Sequence, residues 1–351
     1  NSIINFYLYG YISEPYTIYE NIFAVEPGST IKVNSKGIKK IYQNELFEKN
    51  SIYKSGSKNE SLDYLNYHIA KNIKMQNRSD VKSGVFLSSG IDSSKVLFHS
   101  EKHMEAININ FEEYKKTKFD ESLLAEKLTK VTGHKLLSKY YNKNEGLEMY
   151  EKYFENMDQP TVDGFNTFLA SKFASENKFK VVLSGLGGDE IFFGYNFYSF
   201  VSYADKINKN LNKLKIKYLL KNTYKIFSEN SKISKFFYVL GNSNNLNDIY
   251  FNFRKINYEN VIAKLNNRLN MNQYINPETK IDLSENSDLS NIKIFEISNY
   301  VKNQLLKDSD WASMSNAVEL RVPLLEKKII NFALFDPYIS KLKKKKCYSI
   351  W

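Results

Sequence analysis

Two short loops carry the residue types that could do chemistry. The first is Ser88-Ser89-Gly90-Ile91-Asp92-Ser93-Ser94, set between the apolar run Gly84-Val85-Phe86-Leu87 and a helical stretch starting with Lys95. Small hydroxyl side chains and one glycine let a ligand approach the backbone. The unpaired N–H groups and the dipole of a following helix favour an anion there. Asp92 would repel a bare phosphate but suits one that arrives with a divalent cation. The second loop, Ser184-Gly185-Leu186-Gly187-Gly188-Asp189-Glu190, follows Val181-Val182-Leu183. Its glycines permit close approach of a ligand, and Asp189 and Glu190 start the next helix. Asp92 and Asp189 converging on one spot suit magnesium on nucleotide phosphates, because magnesium takes one or two carboxylates and completes its shell with water and phosphate oxygens. Either loop alone also fits an ordinary capped turn between strand and helix. Together, each ending a strand and each supplying one Asp, they favour function.

A third stretch runs from Leu305 to Met314 and on through Ala317–Glu326. It reads equally well as a buried helix with a local Glu319–Arg321 pair, which would contribute little at a surface.

The elements that must position these loops follow a strand–helix alternation. Leu62, Leu65, Ile69 and Ile73 recur at helical spacing ahead of the first core strand. Next come a helix over Ser93–Glu101, a strand at Ala106–Ile109, and a helix opened by Phe119-Asp120-Glu121 with Leu124, Leu128 and Val131 on one face. Gly133 stands where a helix C-terminus wants glycine. A strand near Leu136–Tyr140, helices near Glu145–Glu155 and Gly164–Asn177, and a strand Lys180–Leu183 complete the pattern. The fold class is therefore α/β, a parallel sheet with helices on both faces, plus a helical subdomain at about 196–291. Residues 1–45 carry short strand-like runs and turn signals, 46–60 read as a linker, and Leu305–Leu334 reads as helical around an interruption at Pro323.

Composition excludes several classes. The 351 residues are 42% hydrophobic and 25% charged, ordinary for a globular protein. No apolar run approaches a bilayer span, and no signal-peptide pattern is present, so no membrane partner is expected. One cysteine, Cys347, cannot build a disulfide framework or a cysteine metal cluster, and His68, His99, His103 and His134 lack metal-ligand spacing. The net charge of +11 is spread along the whole chain without a nucleic-acid motif, so no nucleic-acid partner is expected.

The first loop resembles the pyrophosphate-binding PP-loop of N-type ATP pyrophosphatases, with Ser89 at a position usually held by glycine. Asp158-Gln159-Pro160-Thr161, the second loop with Gly194-Tyr195, Asp310 to Met314, and Glu319-Leu320-Arg321-Val322-Pro323-Leu324-Leu325 resemble the C-terminal synthetase domain of asparagine synthetases. Tyr9-Gly10-Tyr11-Ile12, Thr17-Ile18-Tyr19 and Pro27-Gly28 resemble the end of their glutaminase domain. The resemblance implies a glutaminase remnant at 1–50 and a synthetase-like domain at 51–351, with a catalytic cysteine upstream of this chain. It implies a C–N-forming ligase of asparagine biosynthesis type. Such an enzyme activates a small carboxylate with ATP, releases pyrophosphate, and amidates the acyl-adenylate with ammonia, free or from glutamine. By resemblance, Ser88, Ser89, Gly90, Asp92, Ser93 and Ser94 hold pyrophosphate. Leu87, Ile109, Ser184 and Gly185 contact adenosine, and Asp92 and Asp189 hold magnesium. Asp92, Asp189 and Glu190 are the expected catalytic carboxylates, and Asp310, Glu319 and Arg321 are expected to shape the pocket. A cytoplasmic location is expected, and a homodimer is possible.

Two departures qualify this reading. Leu186 replaces a Glu of asparagine synthetases proper, which could handle protons where Leu cannot. The acceptor could then be aspartate, a sugar acid or another small acid. The family pattern also stops after the lysine run Lys343–Lys346, so a lysine expected to neutralise pyrophosphate has no assigned position. An impaired relative that binds nucleotide or a partner is the alternative. A PP-loop enzyme that thiolates tRNA fits poorly with Cys347 as the one cysteine.

Overall fold

The computed structural model describes residues 2–43, 46–48, 55–213, 217–220, 223–227, 231–265 and 288–339. The lysine run and Cys347 lie outside the described residues. The chain opens on a helix, α1 (Ser2–Tyr9), then an antiparallel pair, β1 (Ser29–Asn34) and β2 (Gly37–Gln43). The strand-like reading of the first residues is corrected here. Ile4, Asn5, Leu8 and Tyr9 share one buried helical face, and Ile4, Leu8 and Tyr9 join the main core. Helix α2 (Lys58–Gln76) is capped by the Ser57 side chain, which accepts from the Glu60 N–H. It buries Leu65, Ile69 and Ile73 completely.

The frame of the site is a five-stranded sheet. It is built from β3 (Ser83–Phe86), α3 (Ile91–His99), β4 (Glu105–Phe111), α4 (Ser122–Thr132), β5 (Leu136–Tyr141), α5 (Lys143–Glu155), α6 (Phe165–Glu176), β6 (Val181–Leu183) and the short α7 (Gly188–Phe192). Among the described residues four α-helices follow, α8 (Asn196–Lys213), α9 (Lys232–Asn242), α10 (Leu246–Arg254) and α11 (Glu259–Leu265). Helix α12 (Asp288–Glu296) then runs through a π-helical segment, Ile297–Leu306, into α13 (Lys307–Met314). The chain returns to the sheet as β7 (Glu319–Arg321) before α14 (Lys327–Phe335).

Strand order is β5-β4-β3-β6-β7, with every neighbouring pair parallel. The chain moves outward from β3 through β4 to β5, then crosses back to place β6 on the other side of β3. The order therefore reverses between β3 and β6. At such a switch point the two connections diverge and leave a crevice at the carboxyl ends of the strands.

Two sequence expectations fail within this frame. Glu319–Arg321 is a strand, paired Val181↔Glu319 to Leu183↔Arg321, within a stretch read as helical. It is three residues long, and its pairing with β6 rather than its own pattern fixes it; Val318 and Leu320 pack against Val182 and Phe179. On α4, Leu128 packs against the core, but Leu124 is 43% and Val131 86% exposed, while Ser122, Ala125, Thr129 and Thr132 are buried. The buried face uses small residues, and its two threonines donate to the carbonyls of Ala125 and Leu128 one turn back, which meets their hydrogen-bonding need. Gly133 does close α4, in the left-handed conformation at φ 73°.

Candidate active site

The first loop leaves β3 tied to β4 by hydrogen bonds. The Leu87 N–H donates to the Ile107 carbonyl (2.8 Å), and the buried Asn108 amide donates to the Leu87 carbonyl (2.8 Å). The Ser93 hydroxyl, from the first turn of α3, reaches back to accept from the Ser88 N–H at 3.2 Å and lies 2.9 Å from the Ser88 hydroxyl. Gly90 sits at the N-cap of α3 at φ −73°, ψ 150°, with no side-chain cap on the helix. The first-turn N–H groups therefore have no capping side chain, which is the condition an anion site needs. Ser89, in place of the customary glycine, does not lie in the left-handed region, so its Cβ brings no strain. Its hydroxyl donates to Glu121 Oε1 (2.8 Å), tying the loop to the start of α4.

The second loop leaves β6 directly alongside. The Ser184 N–H donates to the Arg321 carbonyl (2.8 Å), and its hydroxyl accepts from the Leu186 N–H (3.3 Å). A Cβ on Gly185 would stand 2.5 Å from the Ser93 nitrogen and 2.7 Å from the Asp92 carbonyl carbon. A Cβ on Gly188 would stand 2.3 Å from the Asp92 carboxyl carbon. Both glycines are thus demanded by the approach of one loop to the other.

That approach gathers three carboxylates. Burial and the charges of Asp189 and Glu190 push the Asp92 carboxyl up to about 8, although it accepts a hydrogen bond from the Asp189 N–H. Burial also raises Glu190, against a hydrogen bond that its Oε1 accepts from the Tyr195 hydroxyl at 2.9 Å. The Tyr198 hydroxyl donates to the Glu190 carbonyl (3.0 Å), which fixes the first turn of α7. A carboxylate forced toward its neutral form by like charges fits a divalent cation, which would favour the ionised form again. Among the described residues no group of three or more His, Cys, Asp or Glu is arranged to hold a metal ion. Asp92 and Asp189 fit the magnesium pattern, in which water and ligand oxygens complete the shell.

The loops open into a cleft of about 590 Å³. Leu87, Ser88, Gly90, Asp92, Ser93, Ile109, Ser184, Gly185, Asp189 and Glu190 line it. Ser89 and Ser94 stand behind the lining: Ser89 on Glu121, and Ser94 donating to the Gly90 carbonyl (2.7 Å). Asp310, Glu319 and Arg321 do not line the cleft. The Arg321 guanidinium instead donates to the Gln76 and Arg78 carbonyls (2.6 and 2.8 Å) and to Glu319, holding β7 to the end of α2. Sequence reasoning missed Asn108, Glu121, Asn166 and Thr167, which also line the cleft, as does Leu305 at the start of the third stretch. Asn108 had a visible signal, one of two asparagines alternating with isoleucines inside a strand. Glu121 had none, because its partner Ser89 is distant in sequence.

Residues 65–347 match the family model for asparagine synthase. Asparagine synthetase (glutamine-hydrolyzing) 1 of Bacillus subtilis (strain 168) is 27% identical over 336 residues, covering 92% of this chain and 51% of the relative. "Putative asparagine synthetase (glutamine-hydrolyzing) 2" of Methanocaldococcus jannaschii is 30% identical over 247 residues, covering 63% of this chain and 46% of the relative. The chain thus spans about half the length of these curated relatives. No described helix is long and apolar enough to cross a membrane. Because the family model takes in both loops, the sheet between them and most of the sequence, the chain belongs to the asparagine synthase family.

Proposed function

We propose that this chain catalyses ATP-dependent amidation of a small carboxylic acid through an acyl-adenylate. An acid oxygen attacks the α-phosphorus of ATP, the bond to the β-phosphate bridging oxygen breaks, and pyrophosphate leaves. Ammonia nitrogen then attacks the acyl carbon and loses a proton, and the carbon–oxygen bond to AMP breaks. The ammonia, free or from glutamine, and a cytoplasmic setting belong to the same proposal. So does the division into a glutaminase remnant at 1–50 and a synthetase-like domain at 51–351.

The observation that carries the reading is the backbone contact between the two loops at the strand-order reversal, Gly185 against Asp92 and Ser93. In this reading the uncapped start of α3 and the hydroxyls of Ser88 and Ser93 receive the pyrophosphate, where positioned donors lower the cost of charge build-up. Leu87, Ile109, Ser184 and Gly185 form the adenosine side of the cleft. Asp92 and Asp189 hold magnesium, which when bound neutralises charge on the phosphates. Glu190, fixed by Tyr195 and Tyr198, completes the acidic floor. Product analysis tests this directly. With ATP, magnesium, ammonia and an accepted acid, AMP and pyrophosphate form in step with amide; ADP and phosphate as products would overturn it. A second reading, nucleotide binding without turnover, draws on Leu186 in the cleft wall and predicts ATP binding with no pyrophosphate exchange for any acid.

A further inference from the structure

The cleft wall holds a feature that bears on the acceptor. Leu186 follows Gly185 directly and is half-buried in the lining. Leu305, from the π-helical segment, and Ala170, from α6, line the same cleft and are also half-buried. Asn166 and Thr167, one turn before Ala170 on α6, line it as well, and neither side chain hydrogen-bonds another described residue. The charged side chains lining the cleft among the described residues are the carboxylates Asp92, Glu121, Asp189 and Glu190.

We propose that Leu186, Leu305 and Ala170, with the free amide of Asn166 and hydroxyl of Thr167, form the acceptor wall and select a monocarboxylic acid with an uncharged, partly apolar body. The inference rests on the amidation reading above. One carboxylate of the acceptor is consumed by the α-phosphoryl group. A second would lose hydration beside the leucine side chains, with no cationic side chain among the described lining residues to pair it. An uncharged body keeps the apolar contact, and its hydroxyl or amide groups meet Asn166 and Thr167. Leu186 therefore acts as a specificity residue.

The test is ATP–pyrophosphate exchange by the whole chain with magnesium. Aspartate and glutamate are compared with hydroxybutyrate and N-acetylvaline. The uncharged-bodied acids should exceed the dicarboxylates by about tenfold or more in kcat/KM. Leu186→Glu and the exposed-site change Asn166→Ala should each raise the KM for the preferred acid by about tenfold and leave the KM for ATP unchanged. Aspartate as the preferred acid, or an acid KM unmoved in both variants, overturns the acceptor assignment while leaving the amidation reading standing. Exchange with no acid overturns the amidation reading and the assignment with it.

Discussion

Replacing Gly185 by alanine would drive a methyl group into the backbone of the first loop. The added Cβ meets the Ser93 nitrogen at 2.5 Å, against the 3.4 Å at which ordinary contact begins, a deficit of about 0.9 Å. The obstacle is backbone on a fixed helix start, so no side-chain rotation relieves it. The strain costs about 1–3 kcal/mol, the range for overpacking a tight site. The catalytic cost is larger, because shifting one loop by roughly 1 Å misaligns groups supplied by both and can reduce rate about 100-fold. Urea unfolding and acid-dependent ATP–pyrophosphate exchange measure the two effects separately. Gly185→Ala should lose most exchange while remaining folded, and Gly185→Ser should behave alike. Wild-type exchange in Gly185→Ala would show that catalysis does not need the loops in backbone contact.

Other outcomes follow from the same geometry. Arg321→Ala should destabilise by about 1.5–3 kcal/mol, because the guanidinium caps two carbonyls at the end of α2, and should leave the KM for ATP unchanged; its ion pair with the exposed Glu319 adds little. The buried Asp308 carboxyl accepts from the Thr161 hydroxyl (2.5 Å) and the Trp311 indole (3.3 Å), yet burial pushes it up to about 7. The folded state then holds a proton that the unfolded state releases near the ordinary carboxylate value. Its contribution is present below that value and is lost as pH rises to about 7. Stability should fall by up to about 1.4 kcal/mol per pH unit across that window, and Asp308→Asn should flatten the slope in urea titrations at several pH values. Breaking the buried Arg254–Glu296 pair with Glu296→Ala should cost about 3–5 kcal/mol by unfolding titration, since it strands the guanidinium between Phe197 and Tyr300.

Much of this arrangement was legible in the sequence because strong local signals agreed. Short apolar runs ending in small-residue loops marked β3 and β6, and helical spacing marked α2 through Leu65, Ile69 and Ile73. What stayed hidden depended on distant partners. The strand β7 exists because β6 offers it an edge, and its outer residues, Glu319 and Arg321, carry the charge of a surface turn. Helix α4 turns small residues inward, so of its three expected core positions only Leu128 packs against the core while Leu124 and Val131 face outward. Arg321 sits within a family motif expected to shape the pocket, and its contacts to the end of α2, which hold β7 in place, depend on residues distant in sequence. Ser89 stands at a position usually held by glycine, and the backbone shows why serine fits: the position does not use the left-handed region that only glycine enters freely.

The most direct measurement is acid-dependent ATP–pyrophosphate exchange by the wild-type chain and Asp92→Ala, run beside urea unfolding of both. Asp92 faces Gly188 across the two loops and carries like-charge pressure from Asp189 and Glu190. Exchange by the wild type should require both acid and magnesium. Exchange should be lost in Asp92→Ala, which should unfold at a urea concentration at or above that of the wild type at neutral pH in the absence of magnesium. Undiminished exchange in Asp92→Ala would contradict the claim that the two loops form one nucleotide site.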